Sequence, residues 1–234
     1  NYWTGDTSTH NLFSSESGAN TASGTNNFFV GYQAGYNNAT GFNNIFQGYQ
    51  AGFANTGGYE NIFMGYQAGV NNTTGNYNNF IGRRVGMFNT TGGGNNFLSY
   101  AAGASNTTGN LNTFLGFNAG FSNTTGSSNV FLGSYAGQSQ IGSNKLVVDS
   151  LARGSASAEA MGSLIYGVFD SNPANQKLTI NGNVGISTTS PYAKLSVVGQ
   201  IVGEYFTATS TTATSTFTNL SSNQSALGSV ISGV

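Results

Sequence analysis

A chain of 234 residues accommodates one ordinary domain or a rod with an appendage; with 13% aromatic and only 6% charged residues it has apolar material to bury, which excludes a disordered polyelectrolyte. The formal net charge is −1 and the basic residues are scattered apart from Arg83 and Arg84, which speaks against nucleic acid as a partner, and no stretch reaches the roughly 20 apolar residues that cross a bilayer, which speaks against membrane insertion. The absence of Cys excludes disulfides and thiolate metal sites and fits a surface protein in oxidising surroundings.

In chain order, residues 1–9 read as an N-terminal cap or joining segment, and with Asn1 in place of Met a processed or partial product is expected. Across residues 10–143 glycine then recurs every 17 residues in three columns. One runs Gly31, Gly48, Gly65, Gly82, Ser99, Gly116, Gly133; the second runs Gly35, Gly52, Gly69, Gly86, Gly103, Gly120, Gly137; the third runs Gly24, Gly41, Gly58, Gly75, Gly92, Gly109, Gly126. A fixed period near 20 residues marks a stacked repeat, each unit being one turn of a solenoid. The expected fold is all-β: a parallel β-solenoid, or β-roll, of about eight 17-residue coils, homotrimeric, followed by a β connector and a Thr/Ser-rich stalk. In a degenerate first coil Ser14, Gly18 and Gly24 fall on the glycine columns, and Leu12 falls below the aromatic column.

Within each coil an aromatic column, Phe29, Phe46, Phe63, Phe80, Phe97, Phe114 and Phe131, is assigned to the coil interior. The next residue along is aliphatic in most coils: Val30, Met64, Ile81, Leu98, Leu115 and Leu132. Adjacent strand residues point to opposite faces, so this strand is apolar on both sides and needs cover on both. A coil this small holds few large side chains, each contributing about 2–3 kcal/mol on burial, against a backbone ordering cost of roughly 1–2 kcal/mol per residue. The aliphatic row is therefore assigned to a seam between chains.

Past the first glycine the strand is expected to continue through Tyr32, Tyr49, Tyr66, Tyr100 and Phe117, interrupted by Arg83. The small column Ala34, Ala51, Ala68, Val85, Ala102, Ala119, Ala136 predicts a crowded corner. A second short strand is expected at Tyr36, Phe53, Val70, Met87 and Phe121, closed by an Asn-Thr-Thr-Gly turn. Two asparagine columns, one through Asn44 and Asn61, the other through Asn55 and Asn72, predict amide ladders along the axis. Sequons at Asn38, Asn72, Asn89, Asn106 and Asn123 offer glycan acceptors, although the same residues serve the ladder.

Residues 144–206 read as a β-rich connector, with strands expected at 145–149, 164–169, 177–180, 184–186, 194–198 and 201–206 and a Ser/Ala-rich link up to Gly162. In 207–234 Thr and Ser dominate; a seven-residue spacing of Phe206, Ala213, Leu220, Leu227 and Val234 offers a helical stalk, with an extended β stalk as the other reading.

The repeated Asn-x-Phe-x-Gly-Tyr-Gln-Ala-Gly pattern with its Asn-Thr-Thr-Gly turn resembles repeat regions of bacterial surface proteins and phage tail-fibre-like proteins, related in style to the head of trimeric autotransporter adhesins. The stretch from Lys177 to Ile186, with Ser190-Pro191 and Lys194 to Gly199 after it, is similar to the connector that often precedes an intramolecular chaperone domain. The resemblance implies a homotrimeric, fibrous protein located extracellularly or at the cell surface.

No catalytic, metal or cofactor site is expected. His10 is the single histidine, and the acidic residues lie far apart in sequence, so neither a triad nor paired carboxylates assemble. Two adjacent threonine columns from Thr73 and Thr74 onward lack the alternating placement of an ice-binding face. The residues left for recognition are Tyr32, Tyr49, Tyr66, Arg83 and Arg84, as an exposed ligand surface; the bland reading of the arginines is an exposed or interchain pair. Two functions follow: a structural subunit of an extracellular trimeric fibre, non-enzymatic and able to join end to end, or an adhesin or tail-fibre segment that recognises surface carbohydrate.

Overall fold

A computed structural model describes residues 3–6, 8–14, 16–18, 20, 23–191 and 193–197, with only the backbone described at 3–6, 196 and 197. Strand β1 (Trp3–Asp6) pairs antiparallel with β2 (Asn11–Ser14). Then come β3 (Phe28–Val30), β4 (Ile45–Gln47), β5 (Ile62–Met64), β6 (Asn79–Ile81), β7 (Asn96–Leu98), β8 (Thr113–Leu115), β9 (Val130–Leu132) and β10 (Lys145–Val148), each parallel to the one before. The chain is thus a parallel β-solenoid of 17-residue coils. At about 4.8 Å per coil the stack is about 40 Å long.

Each strand from β3 to β9 is only three residues because its own sequence ends it. The side chains alternate, so Phe46 points in while Ile45 and Gln47 point out. Gly48 then turns the chain at φ +134°, a region that residues with a side chain rarely enter, although Ser99 of the same column does so at φ 104°, and a Cβ at Gly48 would sit 2.5 Å from the carbonyl oxygen of Gly65 in the next coil.

The remainder of the coil is turn, not the second strand that Tyr36, Phe53 and Val70 predict, and the Tyr32 column likewise lies past the strand end. Left-handed backbone recurs there at Gln50, Gly52 and Glu60, with φ between 52° and 60°. These turns still bond coil to coil: Gln50 N–H donates to Tyr32 O at 2.9 Å and Gly52 N–H to Ala68 O at 3.0 Å. The backbone is paired along the axis around most of the circumference, which satisfies groups a loop normally leaves to water.

The interior holds one Phe, one small residue and two Asn per coil. Phe29 through Phe131 are fully buried and stack face to face at 4.7–5.0 Å, the spacing the ladder imposes. Gly52 makes room for this stack, since a Cβ there would lie 2.6 Å from the Phe46 ring. Both amide ladders form. Asn61 takes its backbone N–H to Asn44 Oδ1 at 3.0 Å and donates its own amide to Gly75 O at 2.9 Å. Asn72 donates to Asn55 Oδ1 at 2.9 Å and to Gly75 O at 3.0 Å. The third glycine column is needed for this approach, not for a left-handed turn: a Cβ on Gly58 would be 2.9 Å from the Asn72 amide.

The first coil is 16 residues long, so Phe13, not Leu12, continues the aromatic column, stacking on Phe29 at 5.1 Å with Asn11 under Asn27. Leu12 faces outward and is exposed.

The solenoid sheet continues past residue 143. After β10 follow β11 (Ile165–Val168) and β12 (Lys177–Ile180), both antiparallel, which complete one 12-stranded sheet. The Ser/Ala-rich link holds a helix, α1 (Ala156–Gly162), capped by the Ser155 side chain on Ala158 N–H. A separate parallel pair joins β13 (Val184–Ile186) to β14 (Leu195–Val197). The strand expected at 201–206 and the stalk at 207–234 lie outside the described residues.

Candidate ligand surface

The tyrosine column stands on the outside of the coil, just beyond the Gly48 turn. Tyr32, Tyr49 and Tyr66 are 48%, 41% and 39% exposed, and their rings stack at 5.4 and 5.1 Å. Arg83 does not break this ladder. Its guanidinium lies 5.3 Å from the Tyr66 ring centre and 5.6 Å from that of Tyr100, taking the place of a ring, and Tyr100 stacks on Phe117 at 5.1 Å. A solvent-facing strip of π faces with one cation at its middle results.

Arg84 occupies a different column and does not join that strip. It follows Gln33, Gln50 and Gln67, whose amides bond one to the next at 2.9 and 3.1 Å, all on left-handed backbone that Arg84 shares at φ 57°. The Nε of Arg84 is buried without a hydrogen-bond partner among the described residues.

The aliphatic row assigned to a seam occupies the outer face of the strands. Val30, Met64, Leu98, Leu115 and Leu132 are half-buried and Ile81 is 37% exposed. The row is wider than sequence reasoning placed it. On the other side of the inward Phe stand Phe28, Ile45, Ile62 and Val130, with the polar Asn79, Asn96 and Thr113 between Ile62 and Val130, and the register carries the face on through Leu146, Val148, Ile165, Leu178 and Ile180. Alternation about the Phe column was the signal for the second column.

The sequon asparagines point into the coil. Asn38, Asn72, Asn89, Asn106 and Asn123 are fully buried, the amides of Asn72, Asn89 and Asn106 donating along the ladder and those of Asn38 and Asn123 to the carbonyls of Gly41 and Gly142, so the folded coil offers no acceptor nitrogen for a glycan at these sites. Of the paired threonines, Thr73, Thr90 and Thr107 bond their hydroxyls to the carbonyl of the next coil at 3.0 Å, while Thr74, Thr91 and Thr108 are exposed. His10 is exposed, and among the described residues no group of three His, Asp or Glu gathers to hold a metal ion.

The buried charges lie beneath the last coil. Asp149 pairs with Arg153 at 2.6 Å; burial pushes its carboxyl up, but the hydrogen bonds from Arg153 and the Ser150 N–H together with the guanidinium charge outweigh this and hold it below the usual range. Glu159 on α1 accepts from Ser139 N–H at 2.9 Å, yet burial pushes its carboxyl up further than that bond lowers it. A raised folded-state value means that its stabilising share is complete below the free carboxyl value near 4.3 and is lost as pH rises through the folded value. Glu159→Gln, which keeps the acceptor oxygen and removes the charge, is expected to melt higher than the parent at pH 7 and to match it near pH 3.5. Thermal melts at the two pH values check this, and the Asp149 contribution, lost as pH falls in both proteins, cancels in the comparison.

No protein-family model, curated protein or solved structure matches the chain.

Proposed function

We propose that this protein is a non-enzymatic structural subunit of an extracellular fibre, in which three copies pack their strand faces around a common axis. The observation that carries this reading is the outer apolar face. From β3 to β12 it runs the length of the sheet, carried by Ile45 at β4, where the other column has Gln47, and by Ile81, Leu98 and Leu115 at β6 to β8, where the other column has Asn79, Asn96 and Thr113; Ile45, Ile62, Ile81 and Ile180 are all 37–44% exposed in the isolated chain. Contiguous apolar patches of that extent on soluble monomers mark association surfaces. The interior supplies one Phe per coil, so burial between chains is the remaining source of apolar stabilisation. The number three and the extracellular setting come from the adhesin-like repeat pattern and the lack of Cys. The sheet ends in β1 and β12, both antiparallel to their neighbours, so end-to-end growth would be pairing of these caps, not continued coiling. Sedimentation equilibrium of the purified chain tests the proposal: a mass three times that of the 24.1 kDa chain is expected, and a monomer at micromolar concentration overturns it. Electron microscopy then distinguishes long filaments from short rods.

A second reading, recognition of surface carbohydrate, is favoured by the exposed ladder Tyr32, Tyr49, Tyr66, Arg83, Tyr100, Phe117, because stacked π faces accept the C–H faces of successive sugars. Tyr49→Ala combined with Tyr66→Ala is expected to abolish glycan-array signal while leaving the oligomer intact; unchanged signal removes the ladder from recognition.

A further inference from the structure

One coil breaks two columns at once. Ala101 stands where the preceding coils carry Gln33, Gln50, Gln67 and Arg84, and Ala104 stands where they carry Tyr36, Phe53, Val70 and Met87. Their small side chains leave a slot of about 420 Å³, within the range of about 300–1,000 Å³ usual for small-molecule sites. The alanines form its floor, both 4% exposed; Met87, Phe88, Tyr100 and Phe121 form apolar walls, and Arg84 and Asn118 face each other across the missing rung.

The polar atoms on either side are unsatisfied. In the earlier coils each amide of this column bonds its neighbour, but here Arg84 Nε, a donor, and Asn118 Oδ1, an acceptor, are both shielded from water with no partner. Arg84 also makes no ion pair among the described residues. A buried unpaired donor or acceptor costs about 1–3 kcal/mol, so turning the half-buried Arg84 and Asn118 side chains toward an occupant of the slot, one that accepts from Arg84 and donates to Asn118, recovers what the lost rung gave up. A guanidinium favours a carboxylate as that acceptor, since two oxygens match its fork of donors. The Asn118 oxygen calls for a hydroxyl or amide N–H. The rings of Tyr100, Phe88 and Phe121 call for an apolar face on the same molecule.

The geometry points to a binding site for an acidic pyranose, a sugar ring carrying a carboxylate, in the slot over Ala101 and Ala104, with the carboxylate on Arg84, a hydroxyl on Asn118 and the ring against Tyr100. This rests on the recognition reading for its ligand class, but it locates the specificity at Arg84 and Asn118, with Tyr100 the one ring shared with the tyrosine strip.

Isothermal titration with D-glucuronate, D-glucose and benzoate on the full chain tests it. Glucuronate is expected to bind at least tenfold more tightly than glucose and than benzoate, which lacks the hydroxyl donor. Arg84→Gln is expected to cost at least tenfold. Ala101→Gln restores the side chain that Gln50 and Gln67 carry at the same left-handed position, so it fills the slot in a coil able to hold it and is expected to abolish binding with the melting temperature kept. Equal binding of glucose and glucuronate, glucuronate binding that survives Ala101→Gln, or no glucuronate binding overturns the site. Benzoate binding as tight as glucuronate overturns the sugar and leaves an aromatic acid. The Tyr49→Ala, Tyr66→Ala protein separates the two claims: it keeps the slot, so loss of array signal with glucuronate binding retained shows that the slot binds independently of Tyr49 and Tyr66.

Discussion

Asn78→Ala is expected to lower the unfolding free energy by about 3–5 kcal/mol, although the side chain removed is small and polar. Asn78 is 1% exposed. Its Oδ1 accepts from Asn95 N–H at 3.0 Å and from the Asn95 amide at 3.1 Å, and its own amide donates to Gly92 O at 2.8 Å. Gly92 O keeps a second donor in Asn89, and the Asn95 amide keeps Gly109 O, so those losses are about 1 kcal/mol each. The Asn95 backbone N–H has no alternative acceptor in a dry coil, and an orphaned buried donor adds about 1–3 kcal/mol. That total is a large part of the 5–15 kcal/mol typical of a whole domain. The damage also falls at a coil-to-coil junction of a quasi-one-dimensional stack, where each unit depends on its immediate neighbours. Thr91→Ala on the outside of the same coil is the control, expected within about 0.5 kcal/mol of the parent. Urea denaturation followed by circular dichroism measures both. A change below 1 kcal/mol for Asn78→Ala means that water reaches the ladder and the interior is not dry.

This dependence was partly legible before any coordinates. The period places Phe46, Gly52, Asn44 and Asn55 on repeating columns, and a residue repeated without register change for most of the chain must meet its own copies. What the columns do within a coil was harder to read. Tyr36 and Phe53 have strand propensity, yet each sits in a turn directly after a left-handed glycine, Gly35 or Gly52, where a Cβ would strike the ring of Phe29 or Phe46. Tertiary contact overrides local preference there. The left-handed backbone at Gln50, Glu60 and Leu111 carries no sequence mark, since these residue types seldom adopt it and do so here only because coil-to-coil hydrogen bonds demand it. The first-coil register was available in Asn11-x-Phe13, the repeat's own Asn-x-Phe shifted by one residue, and α1 in the alternating alanines after Ser155. The slot was visible too, as two alanines in columns otherwise filled by large side chains, but its unpaired Arg84 and Asn118 atoms needed side-chain placement to appear.

Leu98→Asp is expected to reduce the assembly to single chains while each chain stays folded. Leu98 is the outward residue of β7, beside the fully buried Phe97, and pairs in register with Ile81 on one side and Leu115 on the other. In a lone chain an aspartate at this half-buried outer position reaches water, and the Phe stack, the amide ladders and the backbone pairing behind it are untouched. Between packed chains the same carboxylate is desolvated, and three copies around one axis would also repel each other, a penalty of several kcal/mol per buried ion with no basic residue in the row to offset it. The two measurements therefore separate. The circular dichroism spectrum is expected to be retained, and the sedimentation coefficient to fall to that of one chain. Gln47, a polar residue already present in the same column, shows that the strand itself accepts a hydrophilic side chain facing out. An unchanged sedimentation coefficient would place this face in solvent in the native state and remove the interchain seam; loss of the spectrum together with the assembly would mean instead that the coils fold only as they associate, which thermal melts that shift with chain concentration would show independently.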